Sequence, residues 1–310
     1  MKPAILLIGN NGQVGRELNR MLPQLGEVKS LGREQLDLSN IEEIRGAIRA
    51  FRPQLIVNAA AYTAVDKAES EPDLARAVNA VAPAVMAEEA KTLGALLVHY
   101  STDYVFDGAK TSPYVEDDPT NPKNIYGKTK LEGELAIQTS GAAHLIFRTA
   151  WVYGTEGKNF LLTILRLAAQ REELNIVCDQ TGAPTTSAEI ARGTTKIVSQ
   201  IFAQGNGFSR AQDVGGIYHM TAGGATTWFG FTQAILEYAR KIDAGTTWFA
   251  AATGGRPLIV RSVVPIPAVE YPTPASRPSY SVLSNAKMHR IFSVGLPDWQ
   301  TQLASIFAKS

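Results

Sequence analysis

Tyr126-Gly127-Lys128-Thr129-Lys130 sets a phenol and an ammonium four residues apart. On a helix that spacing puts both on one face, within reach of a common ligand. A free tyrosine, with a pKa of about 10, is a poor proton donor to a ketone near neutrality, but an adjacent cation favours its phenolate and brings the group towards the working range. Upstream, the apolar run over residues 96–101 ends in Thr102-Asp103-Tyr104. A hydroxyl at that point can donate to the same carbonyl oxygen as Tyr126 and stabilise the negative charge that develops as a hydride arrives. Tyr126, Lys130 and Thr102 are therefore the candidate catalytic residues. Tyr-x-x-x-Lys alone is frequent, and a Thr-Asp pair after a strand commonly serves as a turn cap, so the reading rests on their combination.

A second constellation lies at the start of the chain. Gly9-Asn10-Asn11-Gly12-Gln13-Val14-Gly15 follows the apolar run Ala4-Ile5-Leu6-Leu7-Ile8 and opens a helix-like stretch over residues 13–22. One glycine permits a tight turn, another lets backbone N–H groups approach a pyrophosphate, and a third lets helix pack on strand. The helix N-terminus adds partial positive charge, so the arrangement points to a bound dinucleotide. An acidic residue for the adenosine ribose is expected about 20 residues further on, where this chain has Ser30-Leu31-Gly32-Arg33. Arg33 could accept a 2′-phosphate, which tilts the reading towards NADPH and leaves NADH open. Asp37 is better placed for the adenine edge, and Lys130 could bond the nicotinamide ribose while it acts on Tyr126.

The elements that must position these residues follow from the periodicity. Short apolar runs over residues 28–31, 55–58, 96–101 and 145–149 alternate with helical patterns over 41–51, 75–94 and 125–139, the first capped by Asp37-Leu38-Ser39-Asn40. With the N-terminal strand and helix, the order is β-α-β-α-β-α-β-α-β. Such alternation predicts an α/β chain with a doubly wound parallel sheet, the Rossmann arrangement, whose ligands lie at the carboxyl ends of the strands. Residues 1–155 are read as the dinucleotide-binding domain and 156–310 as mainly a smaller substrate-binding lobe, with some later helices and strands returning to the sheet. Residues 244–280 carry six of the 16 prolines and are expected to run extended over the surface or along a pocket.

Composition sets outer bounds. A chain of 310 residues suits about two domains. With 30 basic and 29 acidic residues the net charge is +1, so no long-range field exists to hold a nucleic acid or a membrane surface, and neither is expected as a partner. Cys178 is the single cysteine, which excludes an intramolecular disulfide and a cysteine-based zinc site and fits a cytoplasmic location. No run approaches the roughly 20 apolar residues of a membrane span. The four histidines, His99, His144, His219 and His289, show no metal-ligand spacing and receive no role.

With these motifs in view, the chain resembles the extended short-chain dehydrogenase/reductases. The likeness is carried by the glycine turn, Asn58-Ala59-Ala60-Ala61-Tyr62-Thr63, Ser101-Thr102-Asp103-Tyr104-Val105-Phe106-Asp107-Gly108 and Tyr126-Gly127-x-x-Lys130. More narrowly it resembles members that reduce nucleotide-sugar ketones, through Thr63-Ala64-Val65-Asp66-Lys67-Ala68-Glu69 and Arg148-Thr149-Ala150-Trp151-Val152-Tyr153-Gly154. Asp179-Gln180-x-Gly182-x-Pro184-Thr185 and Tyr271-Pro272-Thr273-Pro274-Ala275-x-Arg277-Pro278 extend that match over almost the whole chain. The resemblance implies reduction of the 4-keto group of a dTDP-6-deoxy-L-hexulose by NADPH or NADH, giving dTDP-L-rhamnose, with Tyr126 protonating O4.

The same resemblance implies that Gly12, Gln13, Val14, Asp37 and Leu38 lie along the cofactor, with Ala61, Tyr62, Thr63 and Tyr100 further along it. Thr102, Asp103 and Trp151 would lie against the sugar. Arg277 would either meet the substrate diphosphate or form a structural ion pair. Some members form a homodimer bridged by Mg²⁺ through glutamates. Glu17 and Glu189 match two of those ligands, but Gln300 stands near the third, and its neutral amide weakens a hard-cation site, so no metal ligand is assigned. Two other readings stay open. One is a nucleotide-sugar epimerase or dehydratase of the same fold, although Thr102-Asp103-Tyr104 lacks the carboxylate pair that elimination needs. The other is a non-catalytic nucleotide-binding regulatory subunit, against which the intact Tyr126 and Lys130 stand.

Overall fold

A computed structural model describes residues 2–203 and 211–308. Its centre is a six-stranded sheet. Strand β1 (Ala4–Ile8) lies between β2 (Glu27–Leu31) and β3 (Leu55–Asn58), and β4 (Leu96–Thr102), β5 (His144–Thr149) and the strand Gly216–His219 follow outward from β3. Every pairing is parallel. Strands β1, β3 and β4 are covered on both faces, which is why they read as unbroken apolar runs. Strand β2 forms an edge, and its exposed Glu27 and Lys29 discourage further pairing there.

Helices cover both faces. On one side α1 (Gln13–Met21) and the helix Ser187–Phe202 press Leu18, Ile190 and Ile197 onto Ile5, Leu7, Val57 and Val98. On the other, α2 (Ile41–Phe51) packs Ile44 and Ile48 against Leu6, Ile8 and Ile56. Asn40 caps α2 by accepting the N–H groups of Glu42 and Glu43. After β3 come the short helices α3 (Val65–Ala68) and α4 (Pro72–Arg76). The helix expected over residues 75–94 begins earlier, at Pro72, and is interrupted by a π-helical turn, Ala77–Val81, before α5 (Ala82–Leu93). That wide turn carries the fully buried Asn79, whose side chain takes the Tyr62 N–H at 2.8 Å and donates to the Tyr62 carbonyl at 3.1 Å. The segment after β3 is thereby pinned to the helix layer.

Helix α6 (Ile125–Ser140) carries Tyr126 and Lys130. It is fastened to β5 by Arg148, which donates to both Glu134 oxygens, at 3.0 and 2.7 Å, with both side chains buried. Loss of either partner would strand a buried charge, so the pair fixes the helix rotation that presents Tyr126. Gly127 allows the close approach, because a Cβ there would stand 2.2 Å from the Tyr104 carbonyl oxygen.

A separate apolar core holds the second lobe together, with Leu161 and Leu165 on Phe160–Ala168, Phe231 and Ile235 on Trp228–Ala239, and Leu303 on Trp299–Ala308. In the proline-rich region Ser262–Ile266 pairs in parallel with Glu173–Val177, Pro265 included. The chain then crosses back towards the sheet domain, with single bridges first from Tyr280 to Thr181 of the second lobe and then from Leu283 to Tyr114. Among the described residues no helix is long and apolar enough to cross a membrane.

Candidate active site

Strand β1 delivers the chain to Gly9, which has φ +89°. A Cβ on Gly9 would meet the Ala60 backbone nitrogen at 2.6 Å, and one on Gly15 would stand 2.0 Å from the Gly9 carbonyl oxygen. Those two glycines are demanded by the turn itself. Gly12 is different. It N-caps α1 in extended conformation without any side-chain cap, and a Cβ there would find only the Gly9 and Ala59 oxygens, at 3.4 and 3.8 Å. The helix N-terminus is left with uncapped donors beside free space, and Asn10 Oδ1 is buried in the same turn without a partner. This donor set fits a dinucleotide pyrophosphate.

Around the turn the expected residues take varied positions. Gln13 accepts from Asn159 Nδ2 at 2.9 Å and donates to the Val152 carbonyl at 3.5 Å, tying the turn to the second lobe. Val14 packs on the core beneath. Asp37 accepts the Ser39 N–H and hydroxyl, at 2.9 and 2.8 Å, and these bonds hold its carboxyl below the usual range. Its carboxylate is thus engaged in the turn before α2, while Leu38 is buried below it. Ala61 and Tyr62 are half-buried and Thr63 is exposed. The Tyr62 phenol donates to Glu71 at 2.6 Å, which raises its pKa, and Glu71 in turn pairs with Lys67 at 2.7 Å. The exposed Arg33 is close enough for its charge to act on both Asp37 and Lys67.

The second half of the site gathers at the end of β4. Thr102 donates to Asp103 Oδ1 at 2.9 Å and takes the Tyr104 N–H at 3.2 Å. It therefore does cap the turn Asp103–Val105, and its hydroxyl also lies against the Tyr126 phenol. Enclosure pushes Tyr126 up to about 12, Asp103 adds to the rise and Thr102 opposes it. Lys130 does not act on the phenol in the way its spacing suggests. Its buried Nζ is drawn to the Tyr100 carbonyl at 2.6 Å and to His99 Nε2 at 3.1 Å, and burial brings the ammonium down to about 8. The physical reason is competition: a strand carbonyl and an imidazole inside the protein capture the amine. Tyr100 meets the site through that carbonyl, since its own hydroxyl bonds Thr194 in the core at 2.8 Å.

Asp103 is buried, which pushes it up to about 6 against the lowering effect of the Ser281 and Thr102 hydroxyls, and its Oδ2 has no hydrogen-bond partner. Trp151 has φ +46°, a left-handed backbone that a tryptophan rarely adopts. Its ring stacks on Trp228 with centroids 3.4 Å apart, and a Cβ on Gly182 would lie 2.4 Å from it. Trp228, held by Gln180 at 3.2 Å, was not recognisable as part of this wall from sequence. Tyr104 was also missed: it meets Tyr126 edge-on at 5.6 Å. Arg277, beside Tyr104, donates to Asp66 at 2.8 Å and keeps Nη1 buried without a partner. An ion pair and a spare donor are thus both present at Arg277. A separate cavity of about 650 Å³, lined by Arg16, Lys158, Arg166 and Trp248 among others, includes none of the candidate residues.

The carboxylates that would bridge Mg²⁺ are otherwise engaged. Glu17 pairs with Arg20 at 2.9 Å and Glu189 with Arg192. Among the described residues no three His, Cys, Asp or Glu side chains come together as a metal site. The donor set does not fit a hard dication. Turnover should therefore be unchanged after exhaustive treatment with a chelator, and a loss restored by added Mg²⁺ would contradict this.

Comparison with known proteins covers the whole chain. The family model described as the RmlD substrate binding domain matches residues 1–310. The dTDP-4-dehydrorhamnose reductase of Burkholderia thailandensis is 48% identical over 296 residues, spanning 96% of this chain and 95% of that protein. The enzyme of the same name from Escherichia coli K12 is 44% identical over 300 residues, spanning 96% and 94%. Among solved structures, a dTDP-4-dehydrorhamnose reductase from Bacillus anthracis in complex with NADP is similar with a TM-score of 0.86 and 32% identity, over 100% of both chains.

Proposed function

From this chain's membership of the dTDP-4-dehydrorhamnose reductase family, which the RmlD substrate binding domain describes, we propose how its own residues carry the reaction. The protein is an oxidoreductase that reduces the 4-keto group of dTDP-4-dehydro-6-deoxy-L-mannose with NADPH or NADH, giving dTDP-L-rhamnose. Gly9, Gly12 and Gly15 shape the pyrophosphate turn, and the uncapped start of α1 holds the diphosphate. When bound there, the reduced nicotinamide supplies the hydride for C4.

Tyr126 is the proton donor to O4. Because enclosure keeps the phenol protonated far above neutrality, the donor is charged with its proton whenever substrate arrives. Thr102 donates to the same oxygen and steadies its negative charge, giving up the bond to Asp103 to do so. Asp103, with a free buried oxygen, receives a sugar hydroxyl, and the Trp151–Trp228 stack forms an apolar wall against the ring. The observation that most supports the reading is the meeting of the Thr102 hydroxyl and the Tyr126 phenol at the carboxyl end of β4.

The direct test supplies the 4-keto sugar and follows the absorbance of reduced dinucleotide, first NADPH and then NADH. Stoichiometric oxidation with formation of dTDP-L-rhamnose is the expected result, and binding of both ligands without oxidation would refute it. Arg33, with Lys67 near it, favours the 2′-phosphate. Arg33→Ala should raise KM for NADPH by about tenfold, with KM for NADH nearly unchanged, as fits the loss of one charged phosphate contact. Equal effects on the two dinucleotides would remove Arg33 from that role. The proposed place of work is the cytoplasm.

A further inference from the structure

Three side chains behind Lys130 form a continuous buried line. Asn58 at the end of β3 stands in register with His99 on β4, and His99 in turn faces Lys130 on α6. All three are at most 1% exposed. The Ala60 N–H donates to Asn58 Oδ1 at 3.2 Å, Asn58 Nδ2 meets His99 Nδ1 at 3.1 Å, His99 Nε2 meets Lys130 Nζ at 3.1 Å, and Lys130 Nζ donates to the Tyr100 carbonyl at 2.6 Å.

The two ends of this line are backbone groups with fixed roles, since an N–H can only donate and a carbonyl can only accept. Working inward from Ala60, Asn58 must present Oδ1 to that N–H and its NH₂ to the imidazole. His99 Nδ1 is then the acceptor. A neutral imidazole carries one proton, so Nε2 is protonated and is the donor towards Lys130. An ammonium has three donors and no lone pair, whereas an amine can accept from Nε2–H and still donate to Tyr100.

We propose that His99, locked as its Nε2–H tautomer by Asn58, is a positioning residue that favours the neutral amine of Lys130 in the dinucleotide-free enzyme. The ammonium is relieved of this opposition when Lys130 gives up the His99 contact for a new acceptor, such as a ribose hydroxyl. The charge of Lys130 is thereby tied to cofactor occupancy. Burial acts on Lys130 in the same direction, and it also keeps His99 well below the ordinary imidazole range, hence neutral. Glu134 on the same helix favours the ammonium, but its carboxylate is taken by Arg148 of β5. The Asn58 amide on β3 and the His99 ring on β4 complete the groups in this line.

The role of Lys130 rests on the reductase reading, but the tautomer can be measured without turnover. Nitrogen-15 NMR of the ring nitrogens of His99 in the dinucleotide-free protein should show a protonated Nε2 and a bare Nδ1. A protonated Nδ1, or an imidazolium, would overturn the proposal even in a fully active reductase. Two variants give an independent reading. His99→Phe removes the donor, and Asn58→Asp turns the imidazole over so that Nε2 becomes an acceptor. Each should move the Lys130 limb of the kcat/KM pH profile upward by about one unit, because the ammonium is no longer opposed. An unmoved limb in variants that still melt cooperatively would overturn the role of His99.

Discussion

Tyr126→Phe is expected to lower kcat by about 10²-fold or more while leaving dinucleotide affinity nearly unchanged. The variant loses one hydroxyl, and the aromatic ring that packs edge-on against Tyr104 remains. What disappears is the proton that O4 must receive as it gains negative charge. The sign of the tyrosine's shift matters here. A phenol pushed up to about 12 is protonated at neutral pH, which suits a donor in the reductive direction, and its ionisation should not limit turnover until the medium is strongly alkaline. Steady-state kinetics with dinucleotide titration by fluorescence separates the two effects. Near-normal kcat in the variant would remove Tyr126 from the chemistry, and a large loss of dinucleotide affinity would make its role one of binding.

Gly12→Val should weaken dinucleotide binding by about 10²-fold, or roughly 2.7 kcal/mol, and leave the free protein folded. The backbone of Gly12 is extended, with φ −76° and ψ 167°, a conformation open to any residue. Its Cβ would have van der Waals room against the protein, and the valine branches would then occupy the space beside the N-terminus of α1. The contrast with Gly15 is diagnostic. There a Cβ would stand 2.0 Å from the Gly9 carbonyl oxygen, so the same substitution at Gly15 disrupts the turn before any ligand is present. Thermal melting of the dinucleotide-free Gly12→Val protein should stay close to that of the parent, and unchanged titration with NADPH would place the pyrophosphate elsewhere.

Local pattern carried much of the fold. The run over residues 55–58 was readable at its bounds because a strand covered on both faces must be apolar throughout and Pro53 marks its approach. The helix around Asn79 was not, because no rule of periodicity announces a π-helical turn whose Asn79 bonds Tyr62, 17 residues upstream. The site divides in the same way. Glycine spacing and Tyr-x-x-x-Lys spacing are local, and they led to Gly12, Tyr126 and Lys130. The partners of those residues are not local. His99 received no role because it is bound by Asn58, 41 residues earlier, and Lys130, 31 residues later, a separation that no motif records. Arg277 reaches Asp66 across 211 residues, and Trp151 stacks on Trp228 of the helix Trp228–Ala239, far along the chain.

The strand Gly216–His219 has a consequence for how the chain is made. It pairs with β5, yet much of the second lobe lies between them in sequence. During synthesis β5 therefore waits as an open edge, with His144–Thr149 already present and its neighbour still to emerge. The helix Ser187–Phe202, which shields α1 and the β1 face of the sheet, arrives in the same late interval. A fragment ending near residue 155 would contain the whole glycine turn and Tyr126 and still be a poor protein, sticky along β5 and bare over core positions such as Ile5, Leu7 and Val57.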